Sequence, residues 1–312
     1  MDALLSVDGL SLRYDAQRDA VADVAFRVEA GSIFALVGPN GAGKTSILRM
    51  LATLQAPSAG RALLDGVDLV ADPEEARRRL GFLPDHFSLY DKMTPVEYLD
   101  FWARLYDLPP RARRPRVDEL LEELGLVDKR GSAIGSLSRG MRQRLGLGRA
   151  VVHRPRLLLL DEPASALDPA ARERLQALLL GWKRGGLGIV ISSHILPDLA
   201  AIADAVGIME QGRMVQAGPI AEVARGVRGA QIYRLELASG MDRARRVLEE
   251  RVGGRAFAEP QPGCFELALD GEDAVAELVE QLVLRGARVC GVRPRESALE
   301  AVYRASAVAE VA

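Results

Sequence analysis

Apolar residues fall into short runs whose period changes along the 312-residue chain. "VADVAFRVEAG" (21–31) alternates apolar and polar positions and "SIFALVG" (32–38) runs apolar; each ends in glycine, so both are expected as strands. From Ser46, "SILRMLATL" spaces its apolar residues for a helix. "PVEYLDFWARLYDL" (95–108) and "VDELLEELGL" (117–126) also have helical period, and the Pro-Arg stretch between them is expected to separate two helices. "RLLLLD" (156–161) and "LGIVISS" (187–193) are short, aliphatic and bounded by breakers, as strands buried on both faces of a parallel sheet should be. Strands of this kind with helices between them make an α/β layer structure.

Past "GRMVQAGPIAEVARG" (212–226) the rhythm changes. "QIYRLELA" reads as a strand, "MDRARRVLEERV" as a helix, "RAFAEP" and "CFELALD" as a strand pair, "DAVAELVEQLVLRG" as a helix and "ARVCGVRP" as a strand. That βαββαβ succession predicts a small α+β ferredoxin-like domain. The expected division is therefore a large domain over 1–220 and an accessory domain over 221–312. The large domain has no internal repeat.

Composition and charge add mainly exclusions. An apolar share of 48% fits a globular protein, and 41 basic against 43 acidic residues, net charge −2, give no electrostatic reason to expect a nucleic-acid partner. The densest basic run, "RARRPR" (111–116), is expected to be a solvated loop. Cys264 and Cys290 are too few for a disulfide framework and lack metal-ligand spacing, so they are expected to be free thiols in a reducing cytoplasm. "MDALLSVDGLSLRYD" has no basic segment followed by an apolar one, so it is not expected to be a secretory signal. No run reaches the roughly 18 uncharged apolar residues of a spanning helix. A membrane role is expected to come through a partner.

"GPNGAGKT" (38–45) satisfies G-x-x-x-x-G-K-[ST] between an apolar strand and a helix. Gly38, Gly41 and Gly43, with Pro39, Asn40 and Ala42, let the backbone wrap so that successive N–H groups face a phosphate, and the helix N-terminus carrying Ser46 adds its dipole. Lys44 then reaches the β- and γ-phosphates, and the Thr45 hydroxyl is placed for Mg²⁺. "LLLLDEP" (157–163) delivers Asp161 to the carboxyl end of a buried strand, where it can hold water of a Mg²⁺ shell, with Glu162 in reach of an attacking water.

The material between and after these motifs is more specific. "LSRGMRQRLGLGRAVVHRPRLLLLDEPASALD" (137–168) resembles the signature, Walker B and D-loop run of an ATP-binding-cassette (ABC) ATPase, "VISSH" resembles its switch histidine, His194, and "GFLPD" occupies its Q-loop. Tyr14 resembles the aromatic residue that stacks on adenine. The resemblance covers residues 1–220 in family order and extends to nucleotide-binding subunits of exporters whose permease is a separate chain. It implies a P-loop NTPase of the ABC type with a helical subdomain, an ATPase using ATP and Mg²⁺, cytoplasmic and held at the inner face of the membrane by an integral-membrane permease.

Ser138 lies where a helix N-cap belongs, and its hydroxyl with the Gly140 amide is expected to form an anion site. In the family that site grips the γ-phosphate on the opposite subunit's P-loop. One copy of each motif therefore implies head-to-tail pairing with a second copy or a homologous subunit. Three places depart from the family pattern. Arg139 and Met141 stand where many members have Gly and Gln, and Ala166 replaces a frequent glycine. Asp85 stands where glutamine is usual, so an amide that donates and accepts has become a carboxylate that only accepts. Asp85 is expected to accept from Mg²⁺-bound water. The aromatic run 87–106 falls where the family receives a permease coupling helix. An ABC ATPase acting on a macromolecular complex is the alternative function; such proteins usually carry two cassettes, zinc modules or long coiled coils, none of which is seen here. A small-molecule kinase would need no signature serine.

Overall fold

The computed structural model describes residues 3–14, 19–165, 167–193, 196–226, 231–252, 257–269 and 271–295. The chain divides into two compact units, Met1–Val223 and Ala224–Ala312.

The first unit is built on two sheets. Strands β1 (Leu5–Arg13), β2 (Asp19–Val28), β4 (Ala59–Leu64) and β5 (Val67–Asp68) form an antiparallel sheet in the order β2-β1-β4-β5. The larger sheet has the order β10-β9-β3-β8-β7-β6, from β3 (Ile33–Val37), β6 (Leu80–Leu83), β7 (Leu157–Asp161), β8 (Gly188–Ser193), β9 (Ala205–Glu210) and β10 (Arg213–Pro219). All its pairings are parallel except that of the edge strand β10 with β9. "IFALV", "LLLLD" and "GIVISS" are buried at every position, which explains why they read as continuous apolar runs without alternation. Helix α1 (Lys44–Leu51) follows β3 after the glycine-rich loop. Its Ile47, Leu48 and Leu51 join Leu5, Val7 and Leu64 of the antiparallel sheet and Leu36 and Leu159 of the parallel one in one core. The P-loop is thus anchored at both ends in buried structure.

Helices α2 (Pro73–Arg79), α3 (Pro95–Leu105), α4 (Pro110–Glu123) and α5 (Arg139–Val151) lie between β5 and β7 in sequence. Thr94 starts α3 with a capping box: its side chain accepts from the Glu97 amide at 3.3 Å while Glu97 accepts from the Thr94 amide at 2.8 Å. The basic run 111–116 is not a solvated loop. It is the opening of α4, with Pro110 at the first helical position and Pro115 inside. Arg116 is 7% exposed and donates to the carbonyls of Val151 at 2.7 Å and Val152 at 3.1 Å, at the end of α5. Glu119, 3.2 Å away, balances its charge. Helices α6 (Pro169–Arg184), α7 (Leu196–Ala200) and α8 (Ile220–Gly226) complete the unit's helical elements, the last crossing the division between units.

The second unit runs β11 (Gln231–Ser239), α9 (Met241–Val252), β12 (Phe257–Gln261), β13 (Cys264–Leu269), α10 (Gly271–Leu284) and β14 (Arg288–Pro294). Its sheet is antiparallel throughout, in the order β12-β13-β11-β14. Tyr233, Leu235, Leu237, Phe265 and Leu267 on one sheet face bury Val247 and Leu248 of α9 with Leu278 and Leu282 of α10. Cys264 and Cys290 are both free.

Candidate functional site

The site lies where β3 and β7 end. Gly38 follows β3 directly; a Cβ there would meet the Met209 carbonyl oxygen at 2.3 Å, so no larger residue lets the loop leave the sheet along this path. Gly43, the N-cap of α1, has φ +102, which a side chain would strain. These constraints bring Lys44 into the fold, 6% exposed, with its Nζ donating to the Gly38 carbonyl at 2.6 Å and the Pro39 carbonyl at 3.1 Å. Burial pushes the Lys44 ammonium below its ordinary pKa, while Glu162 and Asp161 pull it back up.

Asp161 is the last residue of β7 and is 3% exposed. Its Oδ1 accepts from Thr45 Oγ1 at 3.1 Å and from Ser192 Oγ at 2.7 Å. Ser192 Oγ in turn accepts from the Glu162 amide at 3.0 Å, so one hydroxyl on β8 fixes both acidic residues. Glu162 leaves the strand with φ 46, a left-handed conformation uncommon for a side chain of this size, and its Oε1 lies 3.9 Å from Lys44 Nζ.

A cavity of about 690 Å³ opens over these groups, lined by Tyr14, Asp19, Ala20, Asn40, Gly41, Gly43, Lys44, Thr45, Ser46, Asp85, Glu162, Gln211 and Gly212. Tyr14 is exposed just past the end of β1, with its hydroxyl 3.4 Å from Ser46 Oγ. Asp85 accepts at Oδ1 from Ser165 Oγ at 3.3 Å. The cavity therefore gathers residues of the P-loop, Glu162, Asp85 and Tyr14 from four separate stretches of chain, and Asp161 reaches it through Thr45.

Ser138 and Gly140 stand apart from that lining. Ser138 caps α5, its Oγ accepting from the Met141 amide at 3.4 Å. Gln143, in the next turn of α5, donates to the Pro163 carbonyl at 2.9 Å and links this helix to the turn after Glu162. His194 and Ala166 lie outside the described residues. Nothing in the pattern of "VISSH" marks Ser192, and Asp19, Ala20, Gln211 and Gly212 carry no motif; β2 and the turn between β9 and β10, joined by the bond from the Ala22 amide to the Gly212 carbonyl at 2.8 Å, bring those four to the cavity.

In the 87–106 stretch, Tyr98 is 1% exposed whereas Tyr90 is 54% exposed. Tyr90 meets Tyr98 and Phe101 edge-on, and Trp102 touches both Tyr98 and Phe101. The Arg149 guanidinium lies over the rings of Phe87 and Trp102. Tyr98 is core, and Tyr90 is surface. Among the described residues, no helix is long and apolar enough to cross a membrane.

A glycine-rich loop between β3 and α1, opposite a strand ending in two acids, defines a P-loop nucleotide-binding protein of α/β fold. A family model described as ABC transporter matches residues 21–165. The chain is 33% identical over 302 residues to an uncharacterized ABC transporter ATP-binding protein, YxlF, of Bacillus subtilis (strain 168), covering 96% of this chain and 98% of that one. It is 31% identical over 280 residues to the daunorubicin/doxorubicin resistance ATP-binding protein DrrA of Streptomyces peucetius, covering 88% of this chain and 84% of that protein. A solved structure described as the ATP binding subunit of an ABC transporter matches with a TM-score of 0.65 at 33% identity, covering 72% of this chain and 92% of its own. The chain belongs to the ABC transporter ATP-binding proteins.

Proposed function

We propose that this chain is the ATP-hydrolysing subunit that powers transport through a separate integral-membrane permease, which holds it at the cytoplasmic face of the membrane. Residues 1–220 form the ATP-binding domain and 221–312 an accessory domain. The observation that carries the reading is the meeting of Lys44, Thr45, Asp161 and Glu162 beneath one cavity, with Lys44 Nζ 3.9 Å from Glu162 and Thr45 3.1 Å from Asp161. The P-loop backbone over Gly38–Ser46 cradles the phosphates, Lys44 turns from the Gly38 and Pro39 carbonyls to the terminal phosphates, and Tyr14 at the cavity rim stacks on adenine.

Thr45 Oγ1 and Asp161 Oδ1 are adjacent hard oxygen donors and fit Mg²⁺, with the Asp85 carboxylate a third oxygen on the cavity wall. Bound there with ATP, the ion neutralises phosphate charge. Glu162 orients the attacking water and takes its proton, and we assign the γ-phosphate contact of the family's switch histidine to His194. Ser138 and the Gly140 amide, outside the chain's own cavity, serve the P-loop of a second copy or homologous subunit across a head-to-tail dimer. The resistance activity named for DrrA makes export of an organic solute the direction we infer.

Glu162→Gln tests this directly, because it keeps the side chain's shape and removes the base. We expect ATP binding to persist, turnover to fall by about 100-fold or more, and a dimer to accumulate in size-exclusion chromatography with ATP and Mg²⁺. A monomer that hydrolyses at the parental rate overturns the reading.

A further inference from the structure

A groove of about 560 Å³ runs between the end of α4, α5 and α6, and it shares no lining residue with the nucleotide cavity. Its size is that of a site for a small organic molecule. Leu124, Ala177, Leu178 and Trp182 give it an apolar surface, and Trp182 Nε1 donates to Glu123 at 2.8 Å, which fixes the plane of the indole. Arg144 and Arg174 also line it. Arg144 donates to the Leu124 carbonyl and, at 3.4 Å, to the Gly125 carbonyl, and among the described residues neither arginine forms an ion pair. Burial and the neighbouring Arg174 charge together hold the Arg144 guanidinium below its ordinary pKa. Of the two carboxylates at the groove, Glu123 is engaged by Trp182 and lies 3.9 Å from Arg116, which leaves two cations against Glu122.

Gly181, in the interior of α6, keeps the groove open. A Cβ there would meet nothing nearer than the Arg184 guanidinium at 4.0 Å, so packing does not demand a glycine, and its φ lies outside the left-handed region, so the backbone does not demand one either. Glycine weakens a helix interior relative to alanine. What the missing side chain preserves is the space above it.

The geometry points to a binding site for a planar organic anion, its ring system laid against Trp182 and Leu178 and its carboxylate or sulfonate set between Arg144 and Arg174. The two guanidinium groups offer donors to the anion and flat cationic faces to the ring. A neutral apolar ligand leaves the arginine pair uncompensated, and a bare inorganic anion leaves the apolar surface wet, so the groove specifies both halves of its occupant. Because Arg144 belongs to the helix that Ser138 caps, an occupant ties that helix to α6.

Anilinonaphthalene sulfonate, titrated into the whole chain saturated with ADP so that the nucleotide cavity is filled, tests the site. The chain has two tryptophans, Trp102 and Trp182, and Trp182→Phe assigns their indole N–H signals in a nitrogen–proton correlation spectrum. The probe should shift the Trp182 signal and leave that of Trp102 in place. Gly181→Leu, which fills the groove without crowding the fold, should abolish the shift. Arg174→Glu, at an exposed position, should weaken binding by about fivefold, the upper reach of an exposed ion pair, and the neutral analogue phenylnaphthylamine should bind more weakly than the sulfonate by a similar factor. A shift at Trp102 alone, or a Gly181→Leu variant that binds as the parent does, would overturn the site. Equal affinity for the neutral analogue, or no loss in Arg174→Glu, would overturn the assignment of an anion.

Discussion

His153 is a neutral base built into a joint between helix and sheet. Its ring stacks on Tyr106 with centroids 3.7 Å apart, and its Nε2 donates to the Leu80 carbonyl at 2.9 Å, at the start of β6. Burial, aided by the nearby Arg116 charge, lowers its pKa to about 4 against the opposing hydrogen bond to Leu80. The unfolded chain takes up a proton near the ordinary value of 6.5, whereas the folded chain resists it down to about pH 4. Stability is therefore unaffected by this group above that window and falls as pH drops through it, by about 3 kcal/mol at most. Urea unfolding at pH 7 and pH 5 should show the drop in the parent and a flatter response in His153→Gln. Equal slopes would assign the acid sensitivity elsewhere. At this scale the sequence was most readable where geometry is local: Gly38 to Thr45 act within one turn of chain, and their spacing declares their chemistry. Ser192 and Ser165 act on partners 31 and 80 residues distant, and a lone serine has no pattern that announces such a partner.

The same distinction explains which elements could be anticipated. The buried strands β3, β7 and β8 were legible because burial on both faces writes itself into consecutive residues. Helix α4 was not, because the arginines and Pro115 at its start look like solvated loop and the groups that justify Arg116 belong to the end of α5, 35 and 36 residues away. Arg116 is a cap supplied in trans by one helix to another. Removing it leaves the Val152 carbonyl without this donor, while the Val151 carbonyl keeps the Arg154 amide and Glu119 keeps the Arg154 guanidinium at 2.6 Å, so Arg116→Ala should cost about 2 kcal/mol. Unfolding by urea measures this. A loss within about 0.5 kcal/mol would show that water replaces the guanidinium freely, as for an ordinary surface residue.

On the scale of the whole chain, two separate cores imply two melting events. Phe265 is fully buried in the second unit's core, and truncation to alanine should remove about 3–5 kcal/mol from that unit. In calorimetry of Phe265→Ala, one transition should move down while the transition raised by added ATP stays in place. A single transition that shifts as a whole would make the two units one cooperative block. The strand order of the parallel sheet bears on a different matter, the order of events during synthesis. β3 is made early, but its neighbours are β8 and β9, so Ile33 waits for Ile189 and Phe34 for Ala205. Until roughly two thirds of the chain has left the ribosome, β3 carries two bare edges, the condition that favours aggregation and chaperone capture. The nucleotide cavity, whose wall ends at Gly212, cannot bind ATP during that interval, so the nascent chain gains no help in folding from the ligand that later stabilises it.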